Sequence, residues 1–113
     1  MTSSAFTPGD VVSLDFPFSG GVDGKNRPAL VLTGPSAHGD YTVAMISRSQ
    51  QSDGVAIVST DFAAGALNAD SFVRVQHVFT CENSCFVTKR GTLKAAAVKR
   101  VLAALCPTLG CKC

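Results

Sequence analysis

The stretch Asp10-Val11-Val12-Ser13-Leu14-Asp15-Phe16-Pro17-Phe18 decides the fold. Large apolar residues recur at every second position, namely Val12, Leu14, Phe16 and Phe18. They alternate with Val11, Ser13, Asp15 and Pro17. This period of two predicts a half-buried strand whose apolar side faces the core. Pro17 has no backbone N–H, so we expect strand pairing to stop there or the strand to lie at an edge.

A second strand is expected just beyond a glycine-rich loop. Residues 19–26 hold three glycines and no large apolar anchor, which predicts a mobile loop. Ala29 to Leu32 then form an apolar run without alternation, which is typical of a central strand covered on both faces. Pro28 is compatible with the first position of such a strand.

The rest of the chain predicts short strands followed by one helix. One helical turn is expected within residues 61–67, and further strands at residues 41–46, 55–58, 71–79 and 85–88. Apolar residues at i, i+3, i+4 and i+7 among several alanines predict a C-terminal helix, and they are Val98, Val101, Leu102 and Leu105. We expect Thr92 to cap this helix and Pro107 and Gly110 to end it. This order predicts a mainly β fold, with a small antiparallel sheet curled into a barrel and the helix packed on it.

Length and composition limit the domain organisation. At 113 residues and 11.7 kDa the chain has the size of one domain. We expect a single domain 1–113, with its core at residues 8–105 and flexible tails at 1–7 and 107–113. The hydrophobic fraction of 46% excludes a disordered chain. The net charge of +2 indicates that any nucleic-acid contact comes from a local patch rather than from bulk charge.

Composition also bears on the compartment and on association. No apolar run approaches the ~18 residues of a spanning helix, and the N-terminus resembles no secretory signal, so we expect a cytoplasmic protein without membrane association. The five cysteines are then expected to be thiols. Charged residues make up only 16% of the chain, which suggests that a partner covers part of the surface.

Several segments, taken in order, resemble one known family. The opening block from Gly9 to Phe18, the glycine-rich loop and the block Arg27-Pro28-Ala29-Leu30-Val31-Leu32 together resemble the MazF/PemK toxins of bacterial toxin–antitoxin pairs. The match continues through four weaker segments, which are Ile46-Ser47 with Gln50, Ala64-Gly65-Ala66-Leu67, Ser71-Phe72-Val73-Arg74-Val75 and Gly91-Thr92-Leu93.

The resemblance implies an SH3-like barrel of the MazF/CcdB toxin type that assembles as a homodimer. It also implies a sequence-specific endoribonuclease, an mRNA interferase, which cleaves single-stranded RNA without metal or cofactor and is neutralised by a cognate antitoxin. Two alternatives stay open. One is a CcdB-like toxin that poisons DNA gyrase, and the other is a catalytically weakened binding module with the same barrel.

Arg27 matches the family's catalytic arginine at the start of the second strand. Cleavage of RNA without metal uses the 2′-OH as an internal nucleophile, and the site must neutralise the charge that grows on the phosphate. The planar guanidinium suits phosphate oxygens, whereas its pKa of ~12 or more makes it a poor proton shuttle. We therefore expect charge stabilisation from Arg27. The alternative is a surface arginine in a salt bridge.

Ser47 falls where the family has a catalytic threonine. Its hydroxyl can donate a hydrogen bond to a phosphate oxygen or orient the 2′-OH. The segment has one more residue before Gln50 than the family pattern, so Ser49 is a second, less favoured candidate. The alternative for both is an ordinary loop serine.

The RNA-binding candidates lie in two loops. Asp23, Lys25 and Asn26 belong to the glycine-rich loop, which is expected to close over RNA. Lys25 and Arg48 can contact phosphates, although solvated loop charges are an equal alternative. Arg74 is expected to be structural or at a dimer face.

Histidines and cysteines are expected to be structural. His38 falls in a turn and His77 late in a strand, and neither matches a motif of the family. The spacing of Cys81 and Cys85 suits zinc, but the C-terminal pair, separated by one residue, is too close for the usual pattern. No metal site is predicted.

Overall fold

The computed structural model describes residues 6–15, 26–50, 52, 54–67, 70–82 and 85–108, with Asp15 and Asn26 described by their backbone alone. These residues form seven strands, a 3₁₀ turn at Ser59–Asp61 and one helix. The strands are β1 (Asp10–Asp15), β2 (Asn26–Thr33), β3 (Asp40–Ser47), β4 (Gly54–Ile57), β5 (Phe62–Gly65), β6 (Ser71–Glu82) and β7 (Phe86–Leu93), and the helix is α1 (Ala95–Thr108).

The strands pair antiparallel in the order β4-β6-β3-β2-β1-β7-β5. Pairing between the described residues does not close the sheet, yet all seven strands and α1 contribute side chains to the same buried cluster. The sheet therefore curls around that cluster, with α1 packed on β6 and β4. The predicted mainly β fold with a C-terminal helix is confirmed.

The central strands are covered on both faces. Val11 packs in the cluster shared by all elements, whereas Val12 and Leu14 pack in a second cluster on the opposite face of the sheet. The prediction for Ala29 to Leu32 is confirmed, because β2 lies between β1 and β3 and buries both of its faces. The alternation predicted that only the side of β1 with Val12 and Leu14 is buried. This prediction of a half-buried first strand is wrong, because Val11 and Ser13 on the opposite side are buried as well.

Aromatic rings complete this second cluster. The Phe6 ring stands edge-on to Tyr41 and Phe86, with ring centroids 6.0 and 4.7 Å apart. The Phe6 N–H also donates to the Tyr41 hydroxyl at 3.1 Å. Phe6 falls in the segment expected to be a tail, so ordered packing begins before residue 8.

The helical turn expected within residues 61–67 is wrong, because β5 occupies Phe62–Gly65. The Asp61 carboxylate accepts the Val58 N–H at 2.8 Å, which caps the start of the 3₁₀ turn, and an Arg100 N–H from α1 at 3.1 Å. Phe62 is buried and pairs with Leu93 of β7. Pairing across the sheet thus overrides the local helix preference of the alanines.

The C-terminal helix is confirmed, with a different start and a rotated buried face. It begins at Ala95 rather than after a Thr92 cap, since Thr92 belongs to β7 and its hydroxyl donates to the Asp10 carboxylate at 3.0 Å. Ala97, Val101 and Leu105 are its buried residues, whereas Leu102 of the predicted apolar face is exposed. The helix runs to Thr108, so Pro107 lies within its last turn and does not end it. No helix within the described residues is long and apolar enough to span a membrane.

Candidate active site

A pocket of about 460 Å³ opens between β2, the end of β3, β6 and β7. Its polar lining consists of four arginines, two serines and one histidine, which are Arg27, Arg48, Arg74, Arg90, Ser47, Ser71 and His77. The apolar lining consists of Pro28, Met45, Ile46 and Leu67. No Asp or Glu is found among these described lining residues. Four cations without a carboxylate give the pocket a positive potential that suits a phosphate-bearing ligand.

Arg27 reaches the pocket from β2, where its backbone pairs with Leu14 of β1. The fully buried Leu14 and Ala29 hold the strand in place, while Arg27 itself is exposed. Within the described part of the chain, Arg27 makes no hydrogen bond or ion pair through its side chain. A surface salt bridge therefore has no partner in this part, and the guanidinium is available to a ligand.

Ser47 is the last residue of β3 and pairs with Phe72 of β6. Its hydroxyl oxygen accepts the backbone N–H of Ser49 at 3.0 Å. This bond uses one lone pair and leaves the O–H free to donate to a ligand. Ser49 is exposed and is not among the lining residues, so the structure brings Ser47, and not Ser49, into the same pocket as Arg27.

The RNA-binding candidates divide into those the structure places and those it does not. Arg48 is exposed and lines the pocket directly after Ser47. Asp23 and Lys25 lie outside the described residues, and Asn26 is described only as the backbone that opens β2. Contacts by these three residues stay predictions.

Arg90 is a lining residue that nothing in the sequence marks. It lies on β7, and its Nη1 donates to the Ser13 hydroxyl of β1 at 3.1 Å. Ser13 is buried, so this bond fixes the guanidinium on the pocket wall. Its neighbour Lys89 forms an ion pair instead with the buried Asp10, at 3.4 Å. Neighbouring side chains of a strand point to opposite faces, so Arg90 lines the pocket while the exposed Lys89 pairs with Asp10.

Arg74 and His77 enter the pocket through an irregularity in β6. Ala44 of β3 pairs with Val78 of β6, but the next residue, Met45, pairs with Arg74. Residues 75–77 therefore have no partner on β3 and form a bulge, a feature often found beside active sites. Arg74 and His77 were expected to be structural or interfacial. The structure places both in the pocket lining, with His77 exposed.

The cysteines and His38 lie away from this pocket lining. Cys81 and Cys85 are half-buried free thiols, and burial, with smaller contributions from the Cys85 and Asp40 charges, raises the pKa of Cys81 to about 11. Cys106 is disulfide-bonded, so the expectation that all five cysteines are thiols is wrong. His38 is exposed in its turn, where its N–H donates to the Ser36 hydroxyl at 3.2 Å. Within the described residues no group of three or more His, Cys, Asp or Glu could hold a metal ion.

Comparison with protein families gives one extensive match. The family model described as PemK-like, MazF-like toxin of type II toxin–antitoxin system matches residues 7–109. A comparison with curated protein sequences finds no significant match.

Solved structures of similar fold cover nearly the whole chain. An endoribonuclease in complex with its cognate antitoxin, from a mycobacterial species, superposes with a TM-score of 0.76 and 17% identity over 98% of this chain and 99% of that chain. A structure of MazE–MazF from Deinococcus radiodurans superposes with a TM-score of 0.71 and 20% identity, over 97% of this chain and 100% of that chain. The Mycobacterium tuberculosis toxin MazF-mt6 superposes with a TM-score of 0.71 and 20% identity, over 92% of this chain and 99% of that chain. At these identities the similarity establishes the fold.

Proposed function

Because the chain belongs to the PemK-like, MazF-like toxin family of type II toxin–antitoxin systems, we propose that it is a sequence-specific endoribonuclease that cleaves single-stranded RNA without a metal ion. The observation that carries this proposal is the meeting of Arg27 and Ser47 in a pocket whose charged side chains are all cationic. The mycobacterial structure of the same fold, named an endoribonuclease, supports it. An mRNA substrate places the proposed activity in the cytoplasm.

The proposed reaction is an internal transesterification. The 2′-oxygen bonds to the adjacent phosphorus, and the bond from phosphorus to the 5′-oxygen breaks. The products are a 2′,3′-cyclic phosphate and a 5′-hydroxyl. Negative charge grows on the non-bridging phosphate oxygens during this exchange, so fixed cationic donors aimed at them lower the barrier.

Arg27 is the donor best suited to those oxygens. Its fork of N–H groups can bind two phosphate oxygens at once, and its side chain makes no hydrogen bond or ion pair with another described residue. Ser47 can donate its hydroxyl hydrogen to the same phosphate, since only a lone pair of its oxygen is used by the Ser49 N–H. Arg90, held by Ser13, supplies a further fixed positive charge.

The proposal of metal independence rests on the chemistry of the lining. Mg²⁺ prefers carboxylate and phosphate oxygens as ligands. The described lining offers arginines, serines and a histidine, and its guanidinium groups supply the positive charge that a metal ion provides in other nucleases. Addition of EDTA is therefore expected to leave cleavage unchanged.

We propose that a cognate antitoxin neutralises the protein by occupying this pocket. The mycobacterial endoribonuclease of the same fold is found in complex with its cognate antitoxin, and the MazF of Deinococcus radiodurans is found together with MazE. A pocket with four arginines attracts carboxylates as well as phosphates, so an acidic segment that folds on binding can compete with RNA. Simultaneous binding of both ligands would contradict a shared pocket.

We also propose a homodimer. Few charged residues and the exposed apolar side chains Val87 and Leu102 are compatible with a covered surface. A stable interface of this kind buries at least ~1,000 Å². Light scattering at micromolar concentration should give twice the mass of 11.7 kDa, and a monomer alone would refute the assignment.

The nuclease proposal is tested by cleavage of a long single-stranded RNA in EDTA by purified protein. Arg27→Ala should lower the rate on the order of 10²-fold or more. Arg27→Lys keeps the charge but loses the planar fork, so it should recover only part of the rate. Lys99→Ala, at an exposed position of α1, is the control. Arg27→Ala as active as wild type would refute the site, and inhibition of gyrase without RNA cleavage would favour the CcdB-like alternative.

A further inference from the structure

The proposed reaction needs a group that removes the proton of the 2′-OH. Four arginines line the pocket, and a guanidinium group has donors but no acceptor, so it is unsuited to remove a proton. Serine hydroxyls are weak bases. Histidine is the side chain that ordinarily changes its charge between pH 5 and 8, and His77 is the one histidine in the described lining.

The backbone of β6 brings His77 to this position. Because Ala44 pairs with Val78 and Met45 with Arg74, the bulge of residues 75–77 interrupts pairing with β3. Val75 is buried in the bulge, whereas His77 is exposed and lines the pocket. In a regular ladder, Met45 would pair with His77 itself. The bulge therefore decides which side chains of β6 meet Arg27 and Ser47.

The surroundings leave the imidazole available to a substrate. No hydrogen bond or ion pair joins its ring to another described residue. The charged groups around the pocket are Arg27 of β2, Arg48 after β3, Arg74 of β6 and Arg90 of β7, with no carboxylate among the described lining residues. These cations attract the phosphate next to the 2′-OH that is to be deprotonated.

We propose that His77 is the general base of RNA cleavage, a role that rests on the nuclease function proposed above. Its neutral imidazole accepts the proton of the 2′-OH while the 2′-oxygen bonds to phosphorus. The bond from phosphorus to the 5′-oxygen breaks, and the departing oxygen takes a proton from water. The imidazolium then returns its proton to solvent, so neither metal nor further reactant is consumed.

The chain contains two histidines, which provides a matched control. Initial cleavage rates of a long single-stranded RNA are measured in EDTA from pH 5 to 9 for wild type, His77→Gln and His38→Gln. Glutamine keeps hydrogen-bonding capacity but cannot accept the proton. The wild-type rate should rise with pH as the base becomes neutral, and His38→Gln should follow it. His77→Gln should be slower at neutral pH by about 10²–10⁴-fold in kcat, with this rise lost and KM little changed.

The outcomes separate this proposal from the nuclease function. Active wild type with an unchanged rate and pH profile in His77→Gln overturns the role of His77 alone. A rise in KM with unchanged kcat also overturns it, because His77 would then only bind RNA. A wild-type protein that cleaves no RNA overturns the nuclease function, and the role of His77 with it. Circular dichroism checks folding, and His77→Asn serves as the second variant if His77→Gln is unfolded.

Discussion

Gly65 of β5 lies opposite Gly91 of β7, with the two backbones in direct contact. Gly65 has a φ of +69°, and a Cβ built on it would collide with the Arg90 carbonyl oxygen and lie 2.7 Å from the Gly91 Cα. A Cβ on Gly91 would lie 2.6 Å from the Ala64 carbonyl oxygen. The close approach of β5 to β7 therefore depends on both glycines, at the strand that carries Arg90 to the pocket.

Gly65→Ala should destabilise the protein by roughly 2–4 kcal/mol, because a left-handed backbone and a steric clash act together. Gly39→Ala is the matched control. Gly39 also has positive φ, +83°, but a Cβ there meets nothing within 4 Å, so only the backbone cost of about 1 kcal/mol applies. Urea denaturation measures the free energy of unfolding of both variants. Equal losses of stability in the two variants would contradict the contact between β5 and β7.

Ser47→Ala should lower the rate of RNA cleavage on the order of 10²-fold, because one donor to the charged phosphate is lost. Ser49→Ala should leave the rate unchanged, since Ser49 reaches Ser47 through its backbone N–H, which the substitution preserves. Ser47→Thr keeps the hydroxyl and should retain activity. A large loss in Ser49→Ala with full activity in Ser47→Ala would reverse the assignment.

Arg48→Ala should weaken RNA binding in a salt-dependent way. For a single strand, each phosphate contact adds about 0.7 to the slope of log affinity against log salt. Removal of Arg48 should therefore reduce that slope by about 0.7, whereas Lys99→Ala should not change it. Fluorescence anisotropy with 2′-O-methyl RNA, which cannot be cleaved, provides the measurement. An unchanged slope in Arg48→Ala would show that Arg48 does not contact phosphate.

Cys81 should react slowly with iodoacetamide at neutral pH, because alkylation requires the thiolate. A pKa raised from 9.0 to about 11 makes the thiolate about a hundredfold scarcer below pH 9. The native alkylation rate should go on rising up to about pH 11, whereas in urea it should level off nearer the ordinary thiol value. Mass spectrometry of the Cys81 peptide gives the rate. Identical pH profiles in the native and urea-unfolded chain would contradict burial of this thiol.

Local patterns predicted much of the fold and the two proposed catalytic side chains. The apolar run from Ala29 to Leu32 predicted a central strand, and the period of the alanine-rich segment predicted α1. Arg27 and Ser47 were marked by the motifs that resemble the toxin family. The structure adds that both line one pocket, while Ser49, two residues away, lies outside it.

Other elements could not be predicted, since their conformations depend on distant parts of the chain. Residues 62–65 have a helix-favouring composition, but Phe62 pairs with Leu93 and the segment becomes a strand. Val12 was assigned to the single buried face of its strand, but Val11 on the opposite face is also buried, in the cluster that all seven strands and α1 share. Neither outcome leaves a signal in a short window of sequence.

The sequence by itself determined the strand-rich class, the final helix and the place of Arg27 in a family motif, because periodicity and spacing are properties of neighbours along the chain. Only the tertiary structure decided that Arg74, His77 and Arg90 join Arg27 in one pocket. The pairing of β3 with β6 jumps from Val78 to Arg74. The physical reason is that this register is fixed by packing between distant strands, and a shift of register changes which side chains face the pocket.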